Sequence, residues 1–167
     1  MIKTKTTCLQ GVCMSYEHDD RAKENPHRYR YKVTQQPFEL DTWRLREEIA
    51  LLDLYGEREI EHEFFTIRSN GMVWLKVGYA YNGANFPAYN DEQNVIASGI
   101  HDVICQATDL GLIPYSDRKV GDIIFRDIML LKAKNPYQKL RAYYSYAAVA
   151  SYRIGKGIFN KPKQRNT

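Results

Sequence analysis

The hydrophobic period of this chain changes once, near residue 80, and that change limits what it can fold into. Before it, apolar side chains recur at every second position. From Val95 onward they recur every three or four. A period of two marks strands with one face buried, and a period of 3.6 marks amphipathic helices. Strands first and helices afterwards argue against a parallel sheet wound through βαβ units. They predict an α+β fold, with an N-terminal antiparallel β region packed against a C-terminal layer of three helices.

Each strand signal has its own punctuation. Tyr29, Tyr31 and Val33 alternate with Arg30, Lys32 and Thr34, and Pro37 stops the run. Glu61–Ile67 and Met72–Tyr79 flank Ser69-Asn70-Gly71, where Asn-Gly supplies the positive φ angles of a tight hairpin. Thr42–Leu54 fits both periods and reads as a short helix or a loop with one turn. The first 27 residues, with the charged run Glu17–Lys23 and Pro26, read as a polar arm whose Thr- and Cys-rich start could add an edge strand.

Three helices follow. Val95–Thr108 places Ile96, Gly99, Ile100, Val103 and Ala107 on one side. Ser116–Lys134 starts at a Ser116/Asp117 cap and presents Val120, Ile124, Met129 and Leu130. Asn135-Pro136 ends that helix and opens the next. Tyr137–Ile154 carries Leu140, Tyr143, Tyr144, Ala147, Ala148 and Ser151 as its packing face, with Gly155 and Gly157 as its stop.

A length of 167 residues suits one domain, here 28–155, between the arm 1–27 and a basic tail 156–167. The tail holds Lys156, Lys161, Lys163 and Arg165 without an acid, which equals the whole net charge of +4. The body is therefore near neutral, which argues against a dedicated nucleic-acid surface. Thirteen tyrosines lie among strands and the third helix, with no basic stripe between them. The odd count of Cys8, Cys13 and Cys105 predicts reduced thiols and no disulfide framework. No apolar run approaches the ~18 residues of a membrane span, and no charged, apolar leader opens the chain. Synthesis in a cytoplasm is the expectation.

The chemistry gathers between Tyr81 and Phe125. His101 and Asp102 are adjacent on a predicted helix, where neighbours differ by about 100° and can both reach one cavity. A neutral imidazole can take a proton from water if its other nitrogen is held by an acceptor. Asp122 lies 21 positions on, enough for a helix to end, reverse and return. Gly99 and Gly121 allow close backbone approach at that crossing. His101 and Asp122 are thus the candidate catalytic pair, and equally a candidate buried structural pair between two helices. Asp102 is a hard oxygen donor, and the Tyr81-Asn82-Gly83-Ala84-Asn85 loop offers carbonyls of the kind calcium takes. A metal phosphohydrolase would need further histidines at suitable spacing, and none is present.

Tyr81-x-Gly83-x-Asn85, then His101-Asp102, then Asp122-x-x-Phe125, resembles phospholipase A2, closest to the short form of parvovirus capsid proteins. That resemblance implies a calcium site from Tyr81, Gly83, Asn85 and Asp102, with His101 activating water and Asp122 orienting it. The chain also resembles, over roughly Tyr29 to Tyr152, a family of small proteins of tailed phages and prophages. Its marks here are Asn82-Gly83-Ala84-Asn85-Phe86-Pro87, the His-Asp helix and the Asp-x-x-Phe helix. This second likeness implies a virion or assembly component whose partners are other chains of a phage particle. The first implies a phospholipid or ester substrate.

Overall fold

The computed structural model describes residues 1–20, 29–35, 37–41, 59–68, 72–83 and 92–159. Thr42–Leu54, the Ser69-Asn70-Gly71 turn, Ala84–Pro87 and the tail beyond Phe159 lie outside the described residues. The fold is α+β, as the change of period predicts. Among the described residues, eight strands precede three helices: β1 Ile2–Leu9, β2 Val12–Asp19, β3 Tyr31–Val33, β4 Phe38–Asp41, β5 Ile60–Glu61, β6 Phe65–Ile67, β7 Met72–Leu75, β8 Ala80–Tyr81, α1 Val95–Asp109, α2 Arg118–Lys132 and α3 Pro136–Phe159.

The strands make two sheets, ordered β1-β2-β3-β8 and β4-β7-β6-β5, and every pairing is antiparallel. Ile2–Asp19, most of the stretch read as a polar arm, form the first hairpin. Gln10 and Gly11 both have positive φ, 48° and 83°. That is the geometry of a two-residue primed turn, whose twist matches paired strands. β2 sits between β1 and β3, and its Met14 and Tyr16 enter the core. The turn also corrects the cysteine reading. It sets Cys8 directly opposite Cys13, with Cα atoms 4.0 Å apart, and the two form a disulfide. Cys105 alone is a free thiol.

Glu61–Ile67 is likewise two strands instead of one. β5 pairs back on β6 through residues 62–64, with the His62 amide donating to the Phe65 carbonyl at 2.9 Å. β6 then pairs β7 in the register Ile67↔Val73 and Phe65↔Leu75, the hairpin that Asn-Gly predicts. Trp74, on the outer face, lies under the Arg68 guanidinium at 4.4 Å.

One hydrophobic core joins both sheets to the helices. In the first sheet Tyr31 meets Tyr16 edge-on and Tyr81 at a tilt, at 5.6 and 5.3 Å between ring centroids. The Tyr81 hydroxyl donates to the Val95 carbonyl at 3.0 Å and pins the sheet to the start of α1. Gly99 makes this possible, since a Cβ there would lie 3.1 Å from the Tyr81 ring.

α1 ends in a Schellman turn: the Gly111 amide donates to Thr108 and the Leu112 amide to Ala107. A single 3-10 turn, Tyr115–Asp117, leads into α2; Asp117 stands at the N-cap without making a side-chain cap bond. Asn135 caps α3 by accepting from the Gln138 amide at 2.9 Å. α3 does not stop at Gly155 or Gly157 but runs to Phe159. Its phase also differs from the sequence reading. Ala142 and Ser145 are buried, whereas Leu140, Tyr143 and Tyr144 face outward. Among the described residues no helix is long and apolar enough to cross a membrane.

Candidate functional site

α1 and α2 run antiparallel, because their contacts climb one helix as they descend the other. His101 meets Asp122, Ile104 meets Gly121, and Cys105 meets Arg118. Gly121 sets the distance. A Cβ there would lie 3.1 Å from the Ile104 side chain, so a larger residue would press the helices apart or push Ile104 aside.

The His101 Nε2 and the Asp122 Oδ1 are 2.9 Å apart, and Asp122 is almost wholly buried. The other oxygen of Asp122 is also taken, by the Arg153 Nε of α3 at 2.6 Å. One carboxylate therefore ties all three helices together. The opposite face of the imidazole looks at a second acid: Nδ1 stands 3.6 Å from the Asp102 Oδ1. That is a charge contact and too long for a direct hydrogen bond. The Cys105 Sγ lies one helical turn on, 3.7 and 3.8 Å from the two ring nitrogens. The Phe125 ring packs beside the imidazole at 5.6 Å.

Burial by itself disfavours charge on His101. Asp102, Asp122 and Cys105 outweigh it and hold the ring's pKa well above its ordinary 6.5. These neighbours favour the charged imidazolium, the form in which both ring nitrogens carry protons.

Asp102 opens on a cleft of about 450 Å³ shared with Tyr79, Tyr81, Gly83, Gln106 and Phe64. Gly83 there has φ +75°, a conformation glycine adopts freely. Burial pushes the Tyr79 and Tyr81 phenols well above their usual range, helped by Asp102 at Tyr79 and by Tyr31 and then Asp102 at Tyr81, so both stay neutral donors. The structure thus brings Tyr81, Gly83 and Asp102 to one cleft, while Asn85 lies outside the described residues. As a calcium shell this set falls short of six to eight oxygens. It offers one carboxylate, and the Tyr81 backbone is already opposite Tyr31 in the β ladder. Among the described residues, no group of three or more His, Cys, Asp or Glu side chains could hold a metal ion.

Asp102 is not paired to Arg118, which instead bonds Asp109 at 2.9 Å and the Cys105 carbonyl at 3.2 Å. Asp109 also meets Lys156 at 3.5 Å. His62 stacks on Phe65 at 4.5 Å, and His18 on Tyr31 at 5.2 Å, both outside this site. No protein-family model, no curated protein and no solved structure matches this chain.

Arg153 is the member of the site that the sequence reading missed. Its signal is the inward face of α3, where Gln138, Ala142, Ser145 and Val149 lead to it at spacings of four, three, four and four. A separate cleft of about 750 Å³ lies between β1 and the α2–α3 junction. Gln93 braces its wall by donating to the carbonyls of Met129 and Gln138.

Proposed function

We propose that this chain is a binding component of a tailed-phage particle, in which the His-Asp core holds the helices together and does not turn over a substrate. The observation that carries this reading is the full commitment of Asp122. One of its oxygens holds His101 and the other holds Arg153. With Asp102 on the far side, the charged form of the ring is favoured, and an imidazolium has no lone pair to take a proton from water. A charged His–Asp–Arg cluster between three helices is the arrangement expected of a clamp. The phage assignment rests on the resemblance carried by Asn82-Gly83, His101-Asp102 and Asp122-x-x-Phe125.

A second reading has one observation in its favour. The His101–Asp122 geometry beside the Asp102 cleft is also that of a water-activating pair, as in a calcium-dependent phospholipid or ester hydrolase. It requires a neutral ring. Because the described donors do not complete a calcium shell, no step is assigned to a cation.

One experiment separates the two. Fatty-acid release from mixed phospholipid vesicles is measured with and without added calcium, alongside nuclear magnetic resonance titration of the His101 ring. The clamp reading expects no turnover and a ring still charged at pH 7. Turnover that needs calcium and is lost in His101→Ala would replace it with the hydrolase reading.

A further inference from the structure

α3 carries a solvent-facing stripe that the described residues leave uncovered. Tyr137, Leu140, Tyr144, Ala147, Ser151 and Ile154 follow one another at spacings of three, four, three, four and three. At 100° per residue they fall within an arc of about 100°. The opposite side of the helix, with Gln138, Ala142, Ser145 and Val149, is the one packed on the domain. Tyr137, Leu140, Tyr144 and Ile154 are each more than half exposed, and no charged residue interrupts the stripe. Surface helices ordinarily turn charge to water on this face.

We propose that this stripe is a self-association surface, on which a second copy of the chain packs its own α3 antiparallel. Three features select a second copy. The three-four spacing is the seam of helix-on-helix packing, where side chains enter the holes of a partner. The stripe is also complementary to itself in size. An antiparallel pairing centred between residues 145 and 146 sets Leu140 against Ser151, Tyr144 against Ala147, and Tyr137 against Ile154. Large thus meets small at the centre, and the interface is isologous. Finally, the basic side chains at the far end do not repel a copy, because Arg153 is held by Asp122 and Lys156 by Asp109. With Tyr143 alongside, the exposed apolar surface is on the order of 600 Å² per copy. A standard interface buries about 800 Å² per partner, so the stripe and its margins are of the size a dimer needs.

This inference goes beyond the clamp reading, which concerns the inner face of the helices and stands whether or not the outer face pairs. The test weighs the full chain by light scattering coupled to size exclusion, at up to about 100 µM, where a micromolar association would be complete. The expected mass is twice 19.5 kDa, falling to the monomer in Leu140→Glu and in Tyr144→Glu. Both sites face water, so circular dichroism should show an unchanged fold. For the register, oxidising a mixture of Leu140→Cys and Ser151→Cys chains should link one variant to the other; links within each variant alone would mean parallel pairing and overturn the proposal. A monomeric wild type overturns it, as does a dimer indifferent to both glutamate variants. A monomer that floats with phosphatidylcholine–phosphatidylglycerol vesicles, and loses this in Leu140→Glu, would assign the stripe to a lipid surface instead.

Discussion

Asp122 answers two cations with two oxygens, so its removal and the removal of His101 differ in cost. Asp122→Asn strands both His101 and Arg153 against a neutral amide, and breaking a buried ion pair from one side costs about 3–5 kcal/mol. Partial exposure of Arg153 sets the expectation at the low end, about 3 kcal/mol. His101→Ala leaves Arg153 on the Asp122 Oδ2 and should cost only about 1–2 kcal/mol. Urea denaturation of both variants measures the difference, and equal losses would mean that Arg153 contributes nothing. The raised pKa of His101 also has a sign. Its contribution to stability is fully present below the unfolded value near 6.5 and is lost as pH rises through the folded value. Wild-type stability should therefore fall on the alkaline side of neutrality, and that slope should flatten in His101→Ala. The pair itself was legible, because 21 positions allow a helix to reverse. Arg153 was not, because the residues that mark its face are Gln, Ala, Ser and one Val, and the Leu and tyrosines on the other side outweigh them in apolar bulk.

Helix contacts make opposite demands on two glycines. Gly121→Ala would set a Cβ 3.1 Å from the branched Ile104 side chain, which has little freedom to move. The overpacking should cost roughly 1–3 kcal/mol, more than the ~1 kcal/mol gained in helix propensity. Gly155→Ala meets nothing within 4 Å, inside a helix that continues past it. It should stabilise the chain by roughly 0.5–1 kcal/mol. Thermal melts of the two variants should move in opposite directions. The elements themselves were readable wherever a period was long enough, as for α1 and α2 or the β6–β7 hairpin. Local turns decided the rest. Gln10-Gly11 folds back what reads as an arm, and residues 62–64 divide what reads as one strand. Gly155 and Gly157 read as a stop, yet α3 runs through both to Phe159.

Across the whole molecule, the two sheets share a core but not a covalent framework. The Cys8–Cys13 bond closes a loop of only a few residues on a hairpin already held by β3. Its reduction should therefore cost about 2 kcal/mol or less, read as a small shift of the denaturation midpoint with and without reductant. A cooperative collapse of the fold on reduction would show that β1 and β2 depend on the bond. The order β1-β2-β3-β8 has a consequence for how the chain comes into being. The polypeptide leaves the first sheet after β3, builds all four strands of the second, and returns only at β8, 48 positions after the Lys32 partner of Ala80. On a ribosome the first three strands must wait, with the edge of β3 open, until the excursion is complete. Hairpins such as β6–β7 form in microseconds and shorten the free span that β8 has to close. The second sheet thus acts as an internal splint, and damage within it should appear first as misassembly of strands to which it is not paired.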